Sequence, residues 1–272
     1  MDDMAVGALA GQLARIPGVV AVALGGSRAR GTHRPDSDVD LGLYYRGDLD
    51  VTALRELAVQ VAGEGSTATE PGGWGPWVDG GAWLTVGGLR VDWIYRDLDR
   101  VHRVWAECRE GRYEVAVQTG HPLGFHSHAY AGEAALCRVL ADPTGELTAL
   151  RESAQAYPPA LGAALVRGLW EAGFCLELAR YGAAGADPVY AAGCLFRAVG
   201  VACHALHGRA GRWLINEKGM VASAGRLPLA PPGFAVRAQR LLGRVGESPE
   251  RIEETVAAAQ ALLADVRAAV AG

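Results

Sequence analysis

Lysine is almost missing from this chain: of 26 basic residues only Lys218 is a lysine, and every other one is arginine. Basic charge in excess is missing too. The net charge is −4 and the isoelectric point about 6.0, which excludes a protein whose task is to coat nucleic acid, since that task needs many cations on one face. No apolar run reads as long enough to cross a bilayer, and the first residues carry two acids, Asp2 and Asp3, where a secretory signal would carry positive charge. A cytoplasmic location with no membrane partner is therefore expected. The five cysteines, Cys108, Cys137, Cys175, Cys194 and Cys203, are odd in number and widely spaced in apolar stretches, so free thiols are expected rather than disulfides. There is no internal repeat, and no low-complexity tract beyond an alanine-rich last helix.

What is present is an ordinary folding composition, 50% apolar and 21% charged over 272 residues, enough for two modest domains. The first part alternates β-rich runs with helical patterns. Val19–Leu24 and Val39–Tyr45 read as buried strands, and Leu54–Ala62 as an amphipathic helix. Residues 63–81 read as a glycine- and proline-rich loop. Trp83–Val86 and Leu89–Tyr95 read as a hairpin turning at Gly87–Gly88. From Leu98 onward the pattern is read as helical throughout, with helices expected over Leu98–Arg109, Ala129–Leu140, Pro159–Tyr181, Pro188–His207 and Pro249–Val270. The expected fold class is α+β, a mixed-sheet domain over residues 1–120 followed by an α-helical bundle over 121–272.

The chemistry concentrates between the first two strands. Gly25-Gly26-Ser27 follows a strand and opens a short helical turn, so backbone amides and a hydroxyl can approach a phosphate with no side chain in the way. Asp38 and Asp40, one residue apart at the second strand, leave the sheet on the same face while Val39 and Leu41 turn to the core. Two carboxylates so close repel each other unless divalent cations bind there. Asp92 is a lone acid in the apolar run Leu89–Tyr95 and needs a partner or a metal. If its strand lies beside that of Asp38, the three carboxylates converge on one site.

Gly-Ser, ten residues, Asp-x-Asp and a later strand acid resemble the nucleotidyltransferase superfamily of DNA polymerase beta, and within it the small bacterial nucleotidyltransferases and the antibiotic adenylyltransferases acting on aminoglycosides or lincosamides. The motif covers residues 20 to 95. The resemblance implies an enzyme that transfers a nucleoside monophosphate, AMP from ATP, to a hydroxyl of a small acceptor. Gly26 and Ser27 would hold the triphosphate, Asp38 and Asp40 would bind two Mg²⁺ ions, and Asp92 would be a third ligand or the general base. It also implies an active site in a cleft between sheet domain and bundle, and leaves open a homodimer, a protein or RNA acceptor as in antitoxin-like relatives, and a nucleotide-binding pseudoenzyme.

Other residues admit two readings. Lys218, in Asn216-Glu217-Lys218, suits neutralisation of a triphosphate as a point charge, or is a surface lysine. Arg28 leans to phosphate, with pairing to Asp36 or Asp48 as the alternative; Arg30 leans neither way. His121, His126 and His128 read as the rim of a domain junction better than as a zinc site, and Glu133 is a second candidate base. His204 and His207 read as core histidines beside Cys203. Trp74, Trp77 and Trp83 read as a hydrophobic plug for the sheet, ahead of a stacking surface for a base or sugar ring.

Overall fold

The computed structural model describes residues 3–272; Met1 and Asp2, one of the two leading acids, lie outside them. The elements of the first unit are α1 (Asp3–Leu13), β1 (Val19–Leu24), α2 (Gly26–Ala29), β2 (Val39–Tyr45), α3 (Val51–Ala62), β3 (Gly81–Val86), β4 (Leu89–Asp97), the start of α4 (Leu98–Arg109), β5 (Val115–Gln118), β6 (His121–His126), α5 (Ala129–Leu136), β7 (Arg138–Ala141) and α6 (Glu146–Ala154). The second unit holds α7 (Pro159–Arg167), α8 (Leu169–Ala184), α9 (Pro188–Arg209), α10 (Met220–Ala224), α11 (Phe234–Gly243) and α12 (Pro249–Ala271). The α+β class is as expected.

Among the described residues the main sheet runs β3-β4-β2-β1-β7. β2 and β4 are parallel, and the other pairs antiparallel. One face is covered by α1 and α3, whose Val6, Leu9, Leu13, Leu54 and Leu57 bury against Val39, Leu41, Leu43, Val91 and Trp93. Helix α3 starts at Asp50, whose carboxylate accepts from the Ala53 amide at 2.9 Å, the N-cap bond that satisfies one of the otherwise orphaned amides. The β3–β4 hairpin turns at Gly87 and Gly88, both at positive φ (58° and 80°), as a tight two-residue turn demands.

Two helical expectations need correction, and further elements join those expected. Ala129–Leu140 ends at Leu136; Cys137 is extended, and Arg138–Ala141 becomes β7, pairing antiparallel with β1. The apolar residues Val139 and Leu140 continue the helical spacing, but the free edge of β1 captures them. Pro159–Tyr181 is two helices broken at Gly168. The stretch around His121, expected as the rim of a domain junction before the bundle, is the hairpin β5–β6. Helices α1, α6, α10 and α11 add to those the sequence leads one to expect.

The close contacts group the described residues up to Ala106 with Glu114–Ala156, and Glu107–Tyr113 with Tyr157–Gly272, rather than parting at the expected boundary of residue 120. β7 is the reason: as a strand of the main sheet it carries α5 and α6 into the first unit. In the second unit α9 is, contrary to expectation, long and apolar enough to cross a membrane by length and composition, yet most of it is buried among its neighbours. All five cysteines are free thiols, with Cys108, Cys137 and Cys203 buried. His207 bonds the Cys203 carbonyl and Ser223 Oγ at 2.8 and 3.0 Å, as a core histidine does.

Candidate active site

The face of the sheet opposite α1 and α3 carries the acids. β2 and β4 pair with Asp40 directly against Asp92; β3 adds Trp83 against Asp92 on the far side. Paired residues of adjacent strands share a face, so Asp40, Asp92 and Trp83 form one row across three strands. Asp38 lies one residue before β2 rather than within it, and the burial alternates Asp38 half-buried, Val39 buried, Asp40 half-buried, Leu41 buried.

The turn after β1 closes the row on its other side. The Gly25 amide donates to the Asp40 carbonyl at 2.8 Å, and Gly26 has φ +61°. A Cβ at Gly26 would overlap Oδ2 of Asp40. Glycine is required there twice over: for the left-handed backbone, and for the carboxylate to lie against the turn. Ser27 follows in α2, half-buried.

Arg28 does not pair with Asp36 or Asp48. Its Nε donates to the carbonyls of Ser37 and Asp38, each at 3.1 Å, and its Nη2 to those of Ser37 and Pro35 at 2.7 and 3.4 Å. It ties the loop that delivers Asp38 to the turn that delivers Gly26 and Ser27. Arg30 donates to the Gly26 carbonyl at 3.1 Å.

Asp38 Oδ1 accepts from Arg90 Nε at 2.6 Å, a partner that sequence reasoning missed. The signal for it is alternation: Arg90 stands two residues before Asp92 on the same strand face. Asp92 is pushed up to about 6, first by burial and then by the charges of Asp40 and Asp38, with Arg90 opposing. The three acids thus lie near enough to feel one another. They do not converge as tightly as expected, since among the described residues no three His, Cys, Asp or Glu side chains form a ready metal cluster, and Asp38 is drawn toward Arg90. The donor set nonetheless fits a hard divalent cation: carboxylate oxygens, crowded and mutually repelling, beside a glycine cradle.

Other candidates are placed elsewhere. Both carboxylate oxygens of Glu133 accept from Arg96, at 2.6 and 2.9 Å; Arg96 is buried and lies over the Tyr130 ring. Glu133 therefore holds a buried cation in place. Lys218 belongs to the second unit, exposed in the turn before α10, where its amide bonds Asn216 Oδ1. His126 and His128 are buried, and His126 Nδ1 lies 3.1 Å from the Gly124 carbonyl. Trp77 is a plug as expected, stacked on Phe125 and edge-on to Tyr130. Trp83 is not: it is 72% exposed and stacks on Trp74.

Residues 8–69 match the family described as nucleotidyltransferase domain. That stretch holds β1, the Gly25–Gly26 turn, α2, and Asp38 and Asp40, and it stops before Asp92. The first unit thus carries a nucleotidyltransferase domain, and the chain is an enzyme of the nucleotidyltransferase class, drawing on a nucleoside triphosphate. No curated protein matches it. Among solved structures, a nucleotidyltransferase-like protein from Exiguobacterium sibiricum is similar at 12% sequence identity and a TM-score of 0.45, covering 93% of this chain and 71% of that one.

Proposed function

We propose that the chain is a Mg²⁺-dependent adenylyltransferase that moves AMP from ATP to a hydroxyl of a small molecule, with an aminoglycoside-type antibiotic as the first acceptor to try. The observation that carries this reading is the row in which Asp40 faces Asp92 across two parallel strands while its carboxylate rests against Gly26. That arrangement puts acids beside a side-chain-free phosphate turn, which is what phosphoryl transfer asks of a protein: positioning and charge.

In this reading the amides and hydroxyl of Gly26 and Ser27 hold the triphosphate, and Arg28 keeps the loop of Asp38 in register with them. Asp38, Asp40 and Asp92 are the residues that would hold two Mg²⁺ ions, which supply charge neutralisation on the phosphates. Asp92 takes the proton of the acceptor hydroxyl as its oxygen forms the new bond to the α-phosphorus; the bond from that phosphorus to the bridging oxygen breaks, and pyrophosphate leaves with the electron pair. Glu133, engaged by Arg96 on both oxygens, does not serve as the base. Lys218 is a proposed triphosphate ligand on its residue type alone.

The net charge of −4 supports a small acceptor over nucleic acid. The test is pyrophosphate release from ATP in the presence of an aminoglycoside panel. Turnover by wild type, lost in Asp38→Asn/Asp40→Asn with the fold intact, supports the proposal; equal release by both sinks it. A biological effect that the double variant leaves unchanged would favour a binding module instead.

A further inference from the structure

The row Gly25–Asp40–Asp92–Trp83 does not end on an acid. Its last member is an indole 72% exposed to solvent, flanked along β3 by Ala82 and Leu84, which are buried on the opposite face. Neighbouring strands stand about 4.8 Å apart, so the base of Trp83 is one strand from Asp92 and about two from Asp40.

The indole is held from behind. Trp74 stacks on it with ring centroids 4.3 Å apart and an interplanar angle of 15°. Trp74 in turn lies over Gly81, where a Cβ would come within 3.2 Å of its ring and would overlap the Trp93 carbonyl. Gly81 sits at φ +152°, so the strand opens on a glycine that leaves room for Trp74 two residues before Trp83 on the same face. A pair of stacked rings whose outer indole is 72% exposed offers a platform for a flat or saturated ring.

The order of the row says which substrate it serves. The phosphate turn lies at one end, the acids in the middle and the indole beyond Asp92, the acid assigned to the attacking hydroxyl. In an in-line displacement the attacking group stands opposite the leaving pyrophosphate, hence away from the Gly26–Ser27 end and toward Trp83. We infer that Trp83, buttressed by Trp74, is the platform on which the acceptor stacks, and that the acceptor is a saturated hydroxylated ring, sugar-like, whose C–H face lies on the indole while an edge hydroxyl reaches Asp92. This rests on the transferase reading for the direction of attack, and makes Trp83 a determinant of acceptor specificity.

The test is ligand-observed saturation-transfer NMR on the nucleotide-free protein with methyl α-D-glucopyranoside, with adenosine as the competing ring, alongside calorimetric titration of ATP with Mg²⁺. The expected result is transfer to the sugar C–H protons in wild type and Trp83→Phe, and about tenfold weaker binding in Trp83→Ala, with ATP affinity unchanged among all three. Sugar signals absent in wild type, or equal in Trp83→Ala, overturn the inference, as does Trp83-dependent transfer to the adenosine base protons. Loss of ATP binding in wild type itself would instead count against the transferase reading, and the two failures are read separately. Since Trp83 is exposed, Trp83→Ala is expected to keep its circular dichroism spectrum; Trp74→Ala, which removes the buttress, should reproduce the weaker sugar binding.

Discussion

Position 26 shows how much one hydrogen atom can decide. A methyl there meets both a positive φ and the Asp40 carboxylate, so Gly26→Ala is expected to lower stability by about 1–2 kcal/mol and to push Asp40 out of the row. The check is thermal unfolding together with nucleotide titration, and a lowered melting temperature with weakened nucleotide binding is predicted. Asp92 is the opposite case, a residue that costs stability where it stands. Its folded pKa, about 6, is raised above the ordinary carboxylate value of 3.8, so the penalty is full above pH 6 and fades as pH falls from there toward 4. Asp92→Asn in metal-free protein should therefore raise the melting temperature at pH 7.5 and do little at pH 4. The full linkage value is about 3 kcal/mol, which half-exposure and screening reduce to about 1 kcal/mol. An unchanged melting temperature at pH 7.5 would say that the acids do not strain one another. Aspartate spacing was legible in the sequence because period-two alternation needs only neighbours; the bond between Arg90 and Asp38 spans 52 residues and waits on the pairing of β4 with β2.

Among the elements, those with local signals were the legible ones. β1 and β2 match their expected bounds, as does α4, and the Gly87–Gly88 hairpin is where its turn residues put it. β7 was not legible, because Arg138–Ala141 is a strand only by virtue of the β1 edge beside it, a contact more than 100 residues distant. The stacked pair of Trp74 and Trp83 was hidden for a related reason: sequence alone does not say that Ala82 and Leu84 take the core face and leave Trp83 the other. In the second unit the crossing of α7 and α9 is set by glycine at both helices. A Cβ at Gly162 would lie 2.5 Å from the Gly208 carbonyl, and one at Gly208 would lie 3.0 Å from the Leu165 side chain. Gly162→Ala must spread the helices, and a loss of about 1–3 kcal/mol is predicted from overpacking, measurable by urea unfolding. No loss would mean that the helices do not approach as closely as described.

At the scale of the molecule, the sheet unit holds the nucleotidyltransferase match and the acid row, and the helical unit is built around α9, whose buried apolar length is that of a core helix. The sheet unit divides its two faces between tasks: α1 and α3 seal one, and the other holds the acid row, with the buried Arg96 and Glu133 farther along it. The family match ends at residue 69, so the part of the row on β3 and β4 is known here from strand register alone. We propose that Asp38, Asp40 and the Gly26 turn make one nucleotide site. It is tested most directly by calorimetric titration of ATP into wild type and Asp38→Asn/Asp40→Asn, each with and without Mg²⁺. Binding that needs Mg²⁺ in wild type and vanishes in the double variant is the predicted result; ATP affinity that is the same in both proteins, or absent from wild type, would contradict it.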